Sequence, residues 1–244
     1  MYVFPDVILS YCIESFFTEV KLMNKVTQLF AIAFVGIILA HTASAEVGIT
    51  ADIGTLGYGG DITVGLCPEL NVRAGINVLK LTLNGSAEGK GGVPTQLTGK
   101  IDFQTIPILL DWHPWASAFR ISAGVMVNNN EIGLSAEPGD SVTFNHVTYM
   151  VSSVSGKATF DKVAPYVGIG AGNAAASDGH WHFSCDIGVL FQGVPHIDLS
   201  AVAGNPMQQQ ALNYDVAEQQ RIIQDDAKLF NVYPVIAAGV SYTF

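Results

Sequence analysis

The sequence predicts an all-β fold: an eight-stranded antiparallel transmembrane up-and-down β-barrel with one helix in its last outer loop. Three observations predict it. Apolar residues alternate with small or polar ones along one segment after another, the period of a strand with two unlike faces. Of the 244 residues 49% are hydrophobic and 13% charged, a charge content about half that of ordinary globular chains, so the apolar surplus needs an apolar solvent. The last stretch, residues 232–244, sets Pro234, Ile236, Ala238, Val240, Tyr242 and Phe244 on one face against Val235, Ala237, Gly239, Ser241 and Thr243 on the other. A strand that ends on an outward aromatic is a poor central strand for a soluble sheet. A spanning helix would need about 20 uncharged apolar residues, and the one comparable run, residues 26–40, is shorter.

That run follows Lys21 and Lys25 and leads through Ala43-Ser44-Ala45 to Glu46, which reads as a secretory signal over 23–45 with cleavage after Ala45. Met23-Asn24-Lys25 would make a normal start for such a signal, so residues 1–22 read as a start-site extension or leader and 46–244 as the barrel. Cys12 falls in the leader, and no cysteine follows the cleavage site to carry a lipid. Cys67 and Cys185 fall on strands that are not neighbours and on opposite faces, so two free thiols are expected rather than a disulfide. Without Lys21, Lys25, Asp6, Glu14 and Glu19, the chain keeps nine basic and eighteen acidic residues, a balance that gives no support to nucleic-acid binding, and no nucleic-acid partner is expected.

The first strand, residues 46–54, alternates Val47, Ile49, Ala51 and Ile53 with Gly48, Thr50, Asp52 and Gly54. The second, 60–67, sets Ile62, Val64 and Leu66 against Asp61, Thr63 and Gly65, and Pro68-Glu69 turns the chain. The third, 70–84, sets Val72, Ala74, Ile76 and Val78 against Asn71, Arg73, Gly75 and Asn77; its phase slips near Leu79 and Lys80, which suggests a bulge or the edge of the membrane zone. After a Gly-rich loop over 85–94, the fourth strand, 96–112, places Asp102 and Gln104 opposite Ile101 and Phe103, with Pro107 interrupting its ladder. The fifth, 119–128, has the cleanest alternation, with Arg120, Ser122, Gly124, Met126 and Asn128 on its polar side. A long loop over 130–157 precedes the sixth strand, 158–172. A small-residue turn over 173–179 then leads to the seventh, 181–192, and a connection of about forty residues leads to the eighth.

Eight is an even number, so both ends lie on one side, and hydrocarbon tolerates no open edge, so the eighth strand must close on the first. Turns on the side of the termini are short and most of those opposite are long. Trp112, Trp115 and Trp181 gather at the short-turn rim as an aromatic girdle. In the last outer loop, residues 207–230 read as a helix capped by Asn205 and begun by Pro206, with Leu212, Val216, Ile223 and Phe230 on one stripe. It is expected to be a lid on the rim of its own barrel, with a partner-binding helix as the alternative.

An eight-stranded barrel is narrow enough for side chains to fill. The expected lumen network is Asp52, Asp61, Arg73, Asp102, Gln104, Arg120, Tyr166, His182 and Asp186, with Gln192 beyond it. Buried charges must be paired, so two arginines among several aspartates read as a satisfied ionic plug before they read as a polar path. His180, His182, Cys185 and Asp186 have metal-ligand chemistry, but alternation sends Cys185 outward and His182 and Asp186 inward, so no metal site is expected. His196, Asp198 and Ser200 invite a catalytic reading. Residues two apart on a strand sit about 6.5–7 Å apart, too far for the hydrogen bonds of a triad, and no catalytic residue is assigned. Asn128-Asn129-Asn130 fits a solvated tip.

With its signal segment, eight alternating strands, loop asymmetry and terminal Phe244, the chain resembles the small eight-stranded bacterial outer-membrane β-barrels, of OmpA, OmpW and opacity type, over nearly all of residues 46–244. The resemblance implies an outer-membrane location with periplasmic termini, and outer-membrane lipid and the barrel-assembly machinery as partners. It also implies an insertion signal at Val240, Tyr242 and Phe244. No peptidoglycan-binding domain follows Phe244 in this sequence. No cofactor is expected, and a monomer is the expected state. The expected function is a structural or surface barrel with a filled polar lumen, and not an enzyme. The alternatives are a small pore or conduit for small or apolar solutes and, behind it, an enzyme acting on outer-leaflet lipids.

Overall fold

The computed structural model describes residues 46–88, 94–137, 141–144, 146–175 and 181–244. The leader, the signal segment, Cys12 and His180 lie outside the described residues. The described residues form twelve strands and one α-helix: β1 (Val47–Gly54), β2 (Gly57–Cys67), β3 (Leu70–Glu88), β4 (Pro94–Trp112), β5 (Phe119–Asn128), β6 (Glu131–Glu137), β7 (Ser141–Phe144), β8 (Val147–Thr159), β9 (Val163–Ala171), β10 (Trp181–Leu190), β11 (His196–Ala203), α1 (Gln209–Asp226) and β12 (Tyr233–Thr243). β1, β2, β3, β4, β5, β9, β10 and β12 pair in that order, all antiparallel, and β12 returns to β1. Eight strands therefore close a ring of hydrogen bonds that has no edge.

The sequence reading of eight strands is corrected to twelve, because the wall continues past the ring. Beyond the pair Tyr58↔Val78, where β2 ends, β3 stays paired with β4 as far as Glu88↔Pro94. β6 pairs with that outer part of β4, β8 with β6 and β11 with β8, while β7 folds back on β8. The stretch 130–157, expected to be a loop, is therefore mostly strand, and the long last connection holds β11 as well as the helix. β5 leads into β6, β8 into β9 and β10 into β11, so three long wall strands are each broken once. At the first break Asn128 Oδ1 accepts from Asn130 N, a local bond that competes with the ladder. At the third, Gly193 takes φ +73° and Pro195 brings no donor. The phase slip near Leu79 is not a bulge: the β3–β4 register holds from Leu70↔Trp112 to the end, across Pro107.

The two parts of the wall face opposite ways chemically. On the ring, outward side chains are apolar and exposed, among them Ile53, Ile169, Phe183, Ile187 and Ile236, while inward ones are small or polar except in an apolar layer formed by Leu56, Leu109, Met126 and Leu190. On the outer sheet, paired residues put Leu81, Ile101, Ile132, Leu134, Leu199 and Ala201 on the face continuous with the ring interior. Lys80, Lys100, Asp102, Glu131, Lys157 and Asp198 fall on the other. α1 lies on the β11 end of the apolar face, where Leu212 and Val216 bury with Phe144, Tyr149, Val151, Ala201 and Ala203. Asn205 Oδ1 accepts from Met207 N and caps a single 3-10 turn, Pro206–Gln208, that leads into α1, whose own first residue has no side-chain cap. Of its stripe only the first half is buried, and Phe230 stays exposed.

β11 ends the outer sheet, and an uncovered strand edge invites pairing with another chain. The helix covers it with glutamines. Gln224, Gln220 and Gln209 accept from the backbone N–H groups of Ile197, Leu199 and Ala203 at 2.8, 3.0 and 2.8 Å, and Gln209 donates back to Ala201 O. Side chains of α1 thus replace the strand that β11 lacks. Cys67 and Cys185 are both free and exposed.

Candidate functional site

The ring interior is filled in three layers. In the middle one, Arg73 of β3 reaches carboxylates from three other strands. It donates from Nη1 to Asp61 of β2 at 3.5 Å and to Asp186 of β10 at 3.2 Å, and from Nη2 to Asp111 of β4 at 3.2 Å. Its Nε stands 2.9 Å from Asp111 Oδ2, an ionic contact without a hydrogen bond. Arg120 of β5 grips Asp186 with both arms of the fork, Nε to Oδ1 at 3.2 Å and Nη2 to Oδ2 at 2.6 Å, and also donates to Gly172 O. Ser122 donates to Asp111 Oδ1 at 2.5 Å. All six side chains are buried, where an unpaired ion costs several kcal/mol, about what removing one partner exposes.

Inward glycines make room for this layer. A Cβ on Gly75 would collide with Asp61 Oδ1, and one on Gly188 with the ring of Tyr166. Glycine there is a packing requirement, since any side chain would displace a charge or an aromatic.

Towards the open outer end the lumen turns apolar. Leu56, Leu109, Met126, Ala164, Tyr166, Leu190 and Val235 form one buried cluster with Tyr233 against it, and Tyr233 meets Phe103 edge to face at 5.9 Å between centroids. Towards the short turns, the segment after Gly172 folds into the mouth of the ring. Ala174 and Ala175 are buried there; Thr243 donates to Ala174 O, and Asn71 to Asn173 Oδ1 at 2.8 Å. His113 closes the same end: its Nδ1 lies 3.0 Å from Ser117 O and its Nε2 3.1 Å from Asn71 Nδ2. The carbonyl must accept, so Nδ1 holds the proton and Nε2 accepts from Asn71. Burial pushes this imidazole below its usual range.

Of the residues read from the sequence as the lumen network, Asp61, Arg73, Arg120 and Asp186 are in mutual contact. Asp52 and Tyr166 line the cavity beside them, and His182 sits lower, at the level where Ser241 donates to its carbonyl. Asp102 and Gln104 are corrected: on β4 the buried face is Phe103, Thr105, Leu109 and Asp111, so Asp102 and Gln104 face outward, and Asp102 pairs with exposed Lys80 at 3.4 Å. The phase was read from the outer half of β4, where polar residues face water rather than the lumen. Asp111, Ser122, Asn71, His113 and the 173–175 segment were not singled out. Counting back from outward Trp112 would have turned Asp111 inward.

Trp112, Trp115 and Trp181 are all exposed near the short-turn end, Trp181 stacking edge to face on Tyr242 and Tyr242 on Phe244. Val240 and Tyr242 share one face of β12, paired with β1 and β10, and Phe244, just past its end, donates its N–H to Val47 O. His196 reaches Asp161 at 3.7 Å and Ser200 bonds Ser155 at 2.8 Å, so these two engage neighbours other than each other.

No family model matches the sequence, and no curated protein matches it. Among solved structures, the chain is similar to CarO2 of Acinetobacter baumannii at a TM-score of 0.55 and 22% identity, over 82% of this chain and 98% of that one. It is similar to CarO of the same organism at 0.52 and 23%, with the same coverage. A major outer membrane protein of Thermus thermophilus matches at 0.39 and 16%, over 82% of this chain and all of the other. The first two are bacterial outer-membrane β-barrel proteins, and this chain has their fold.

Proposed function

We propose that this chain is an integral protein of the bacterial outer membrane with a structural or surface role, whose lumen is closed by its own side chains. The observation that carries the reading is Arg73, which ties Asp61, Asp111 and Asp186 together from three strands across the ring. The apolar layer above it and the 173–175 segment below it support closure independently. The exposed apolar belt of the ring suits lipid, and the three tryptophans suit a headgroup level at the short-turn end. That end, with both termini of the ring, is assigned to the periplasm, and the outer sheet with α1 to the cell surface. Residues 23–45 serve export, and Val240, Tyr242 and Phe244 serve insertion by the assembly machinery. No catalytic role is assigned.

A small pore or conduit is the second reading, favoured by a cavity of about 50 Å³ beside the ion pairs, room for only a few waters. Planar-bilayer recording of the purified mature chain separates the two. The parent is expected to be silent, and stable unitary conductance in it would overturn the closed-lumen reading. Conductance that arises only in Arg73→Ala would identify the ion pairs as the barrier.

A further inference from the structure

The outer sheet ends on β11 at one side and on the upper part of β3 at the other. Only the first edge is covered, by the glutamines of α1. Beyond Tyr58↔Val78, where β2 stops, β3 pairs with β4 alone among the described residues. Every residue from Lys80 to Ser86 is exposed. Open edges are usually guarded by shortness, proline, a bulge or several charges. This one has no proline, no charge between Lys80 and Glu88, and an unbroken register with β4 from Asn77 upward. Along an antiparallel strand each residue turns both backbone groups to one neighbour, and successive residues alternate. A Cβ on Gly57 would collide with Val78 O, so Val78 faces β2. By that alternation Lys80, Thr82, Asn84, Ser86 and Glu88 turn their N–H and C=O groups to the free edge.

We propose that this edge pairs with the same edge of a second copy of the chain, antiparallel and centred on Asn84. That register sets Lys80 opposite Glu88 of the second copy and Thr82 opposite its Ser86, so opposite charges meet at both ends and each free N–H finds a carbonyl. Centring on Leu83 instead would set Lys80 opposite Ser86 and leave Glu88 beyond the pairing; charge selects the first register. The two-fold axis stands normal to the sheet, so Leu81 and Leu83 of both copies lie on one face of an isologous contact. The same axis reverses the ring, and paired copies point their rings apart. One membrane therefore keeps the expected monomer, and the contact joins two facing outer membranes. This placement rests on the surface reading above; the pairing itself does not. Nine residues a side make a small interface, so single contacts are weak and many between two surfaces act together.

The test is disulfide trapping of the mature chain in detergent, with the exposed thiols removed by Cys67→Ser and Cys185→Ser. Residues facing each other as a hydrogen-bonded pair lie about 5.5 Å apart at Cα, within disulfide reach, so Asn84→Cys should be recovered mainly as a linked dimer. Lys100→Cys, one strand further in, should stay monomeric. Lys80→Cys should link to Glu88→Cys in a mixture and not to itself. Thr82→Pro removes a donor from the free edge and none from the β3–β4 ladder, and should lower the yield of the Asn84→Cys dimer about tenfold or more. If Thr82→Pro does not fold, Lys80→Glu, which sets like charges opposite each other, should lower the yield, and adding Glu88→Lys should restore it. A monomeric Asn84→Cys, a Lys80→Cys that links to itself as a parallel pair would, or a yield that neither Thr82→Pro nor Lys80→Glu changes would each overturn the pairing. Labelling whole cells with a membrane-impermeant maleimide keeps the two readings apart. An Asn84→Cys thiol that links in detergent and is shielded on cells ends the surface placement and leaves the pairing; one that is labelled on cells and never links does the reverse.

Discussion

The ring and the outer sheet are made of the same strands and invert each other. β4 runs through both, and its odd positions point inward throughout, from Ile101 and Phe103 to Leu109 and Asp111. Low on the strand the outward partners are Ile108, Leu110 and Trp112; high on it they are Thr98, Lys100 and Asp102. The pleat never changes phase, but on the outer-membrane reading proposed above the solvent does. Against lipid the outward face must be apolar and the polar groups retreat to a paired interior. In water the outward face is charged, and the apolar face needs a cover, which α1 supplies only on the β11 side.

Paired charges in the two regions should therefore differ most. Arg73→Ala leaves buried Asp61 and Asp111 without their cation and Asp186 with one in place of two, a loss of about 3–5 kcal/mol for breaking a buried pair. Urea unfolding in lipid vesicles should show it, or the variant should fail to insert. Lys80→Ala breaks the same kind of pair on the exposed side, and should cost less than about 1 kcal/mol. Equal losses would end the distinction between the regions.

The outward faces give the next contrast. Ile187→Lys puts a charge on the lipid side of β10 and should cost about 2–4 kcal/mol if that face meets hydrocarbon, read from vesicle unfolding. Lys157→Ile on the outward face of β8 should stay within about 1 kcal/mol, since it gives up one exposed pair with Glu131. A harmless Ile187→Lys would argue that this belt does not face lipid. Smaller still is the glutamine cover. Gln220→Ala removes one bond to an edge amide, worth about 1 kcal/mol; hydrogen exchange at Leu199 should quicken while exchange in β1 and β12 stays as in the parent. Exchange that quickens in the ring as well would mean that α1 supports the whole molecule rather than one edge.

The same inversion explains what could be read from the sequence. Strand identity was legible because alternation is local; Asn205 and Pro206 mark a 3-10 turn, and α1 itself begins three residues later, at Gln209. Arg73, Arg120, Asp61 and Asp186 were legible because they alternate against lipid-facing residues. Asp102 and Gln104 were misassigned because a polar-inward rule that holds in the ring was applied above it, where the rule reverses. The breaks that turn three wall strands into six lie at Asn128–Asn130, residues 160–162 and Gly193–Pro195, and a short interruption looks like a loop end in sequence. The 173–175 segment reads in sequence as part of a short turn at the end of the termini, since small residues suit a turn as well as a narrow mouth; its burial and its contacts with Thr243 and Asn71 place it in the mouth.

The smallest effect belongs to the short-turn rim, where His113 is buried. Burial, its largest cause, holds the His113 imidazole below its usual range, and Asn71 donates to Nε2, the position a second proton would need. The unfolded chain, with an ordinary histidine near 6.5, therefore binds that proton more readily than the folded one. The sign follows from linkage: the stability that His113 contributes is fully present above pH 6.5 and is lost as the pH falls through the folded value below it. Thermal unfolding of the mature chain should show a midpoint that drops between pH 7 and 5, with a shallower drop in His113→Gln, which keeps an acceptor and cannot titrate. If His113→Gln kept the parent's full drop, the acid sensitivity would lie elsewhere, and the mouth of the ring would not be the sealed layer that the contacts of Asn71, His113 and Ala174 describe.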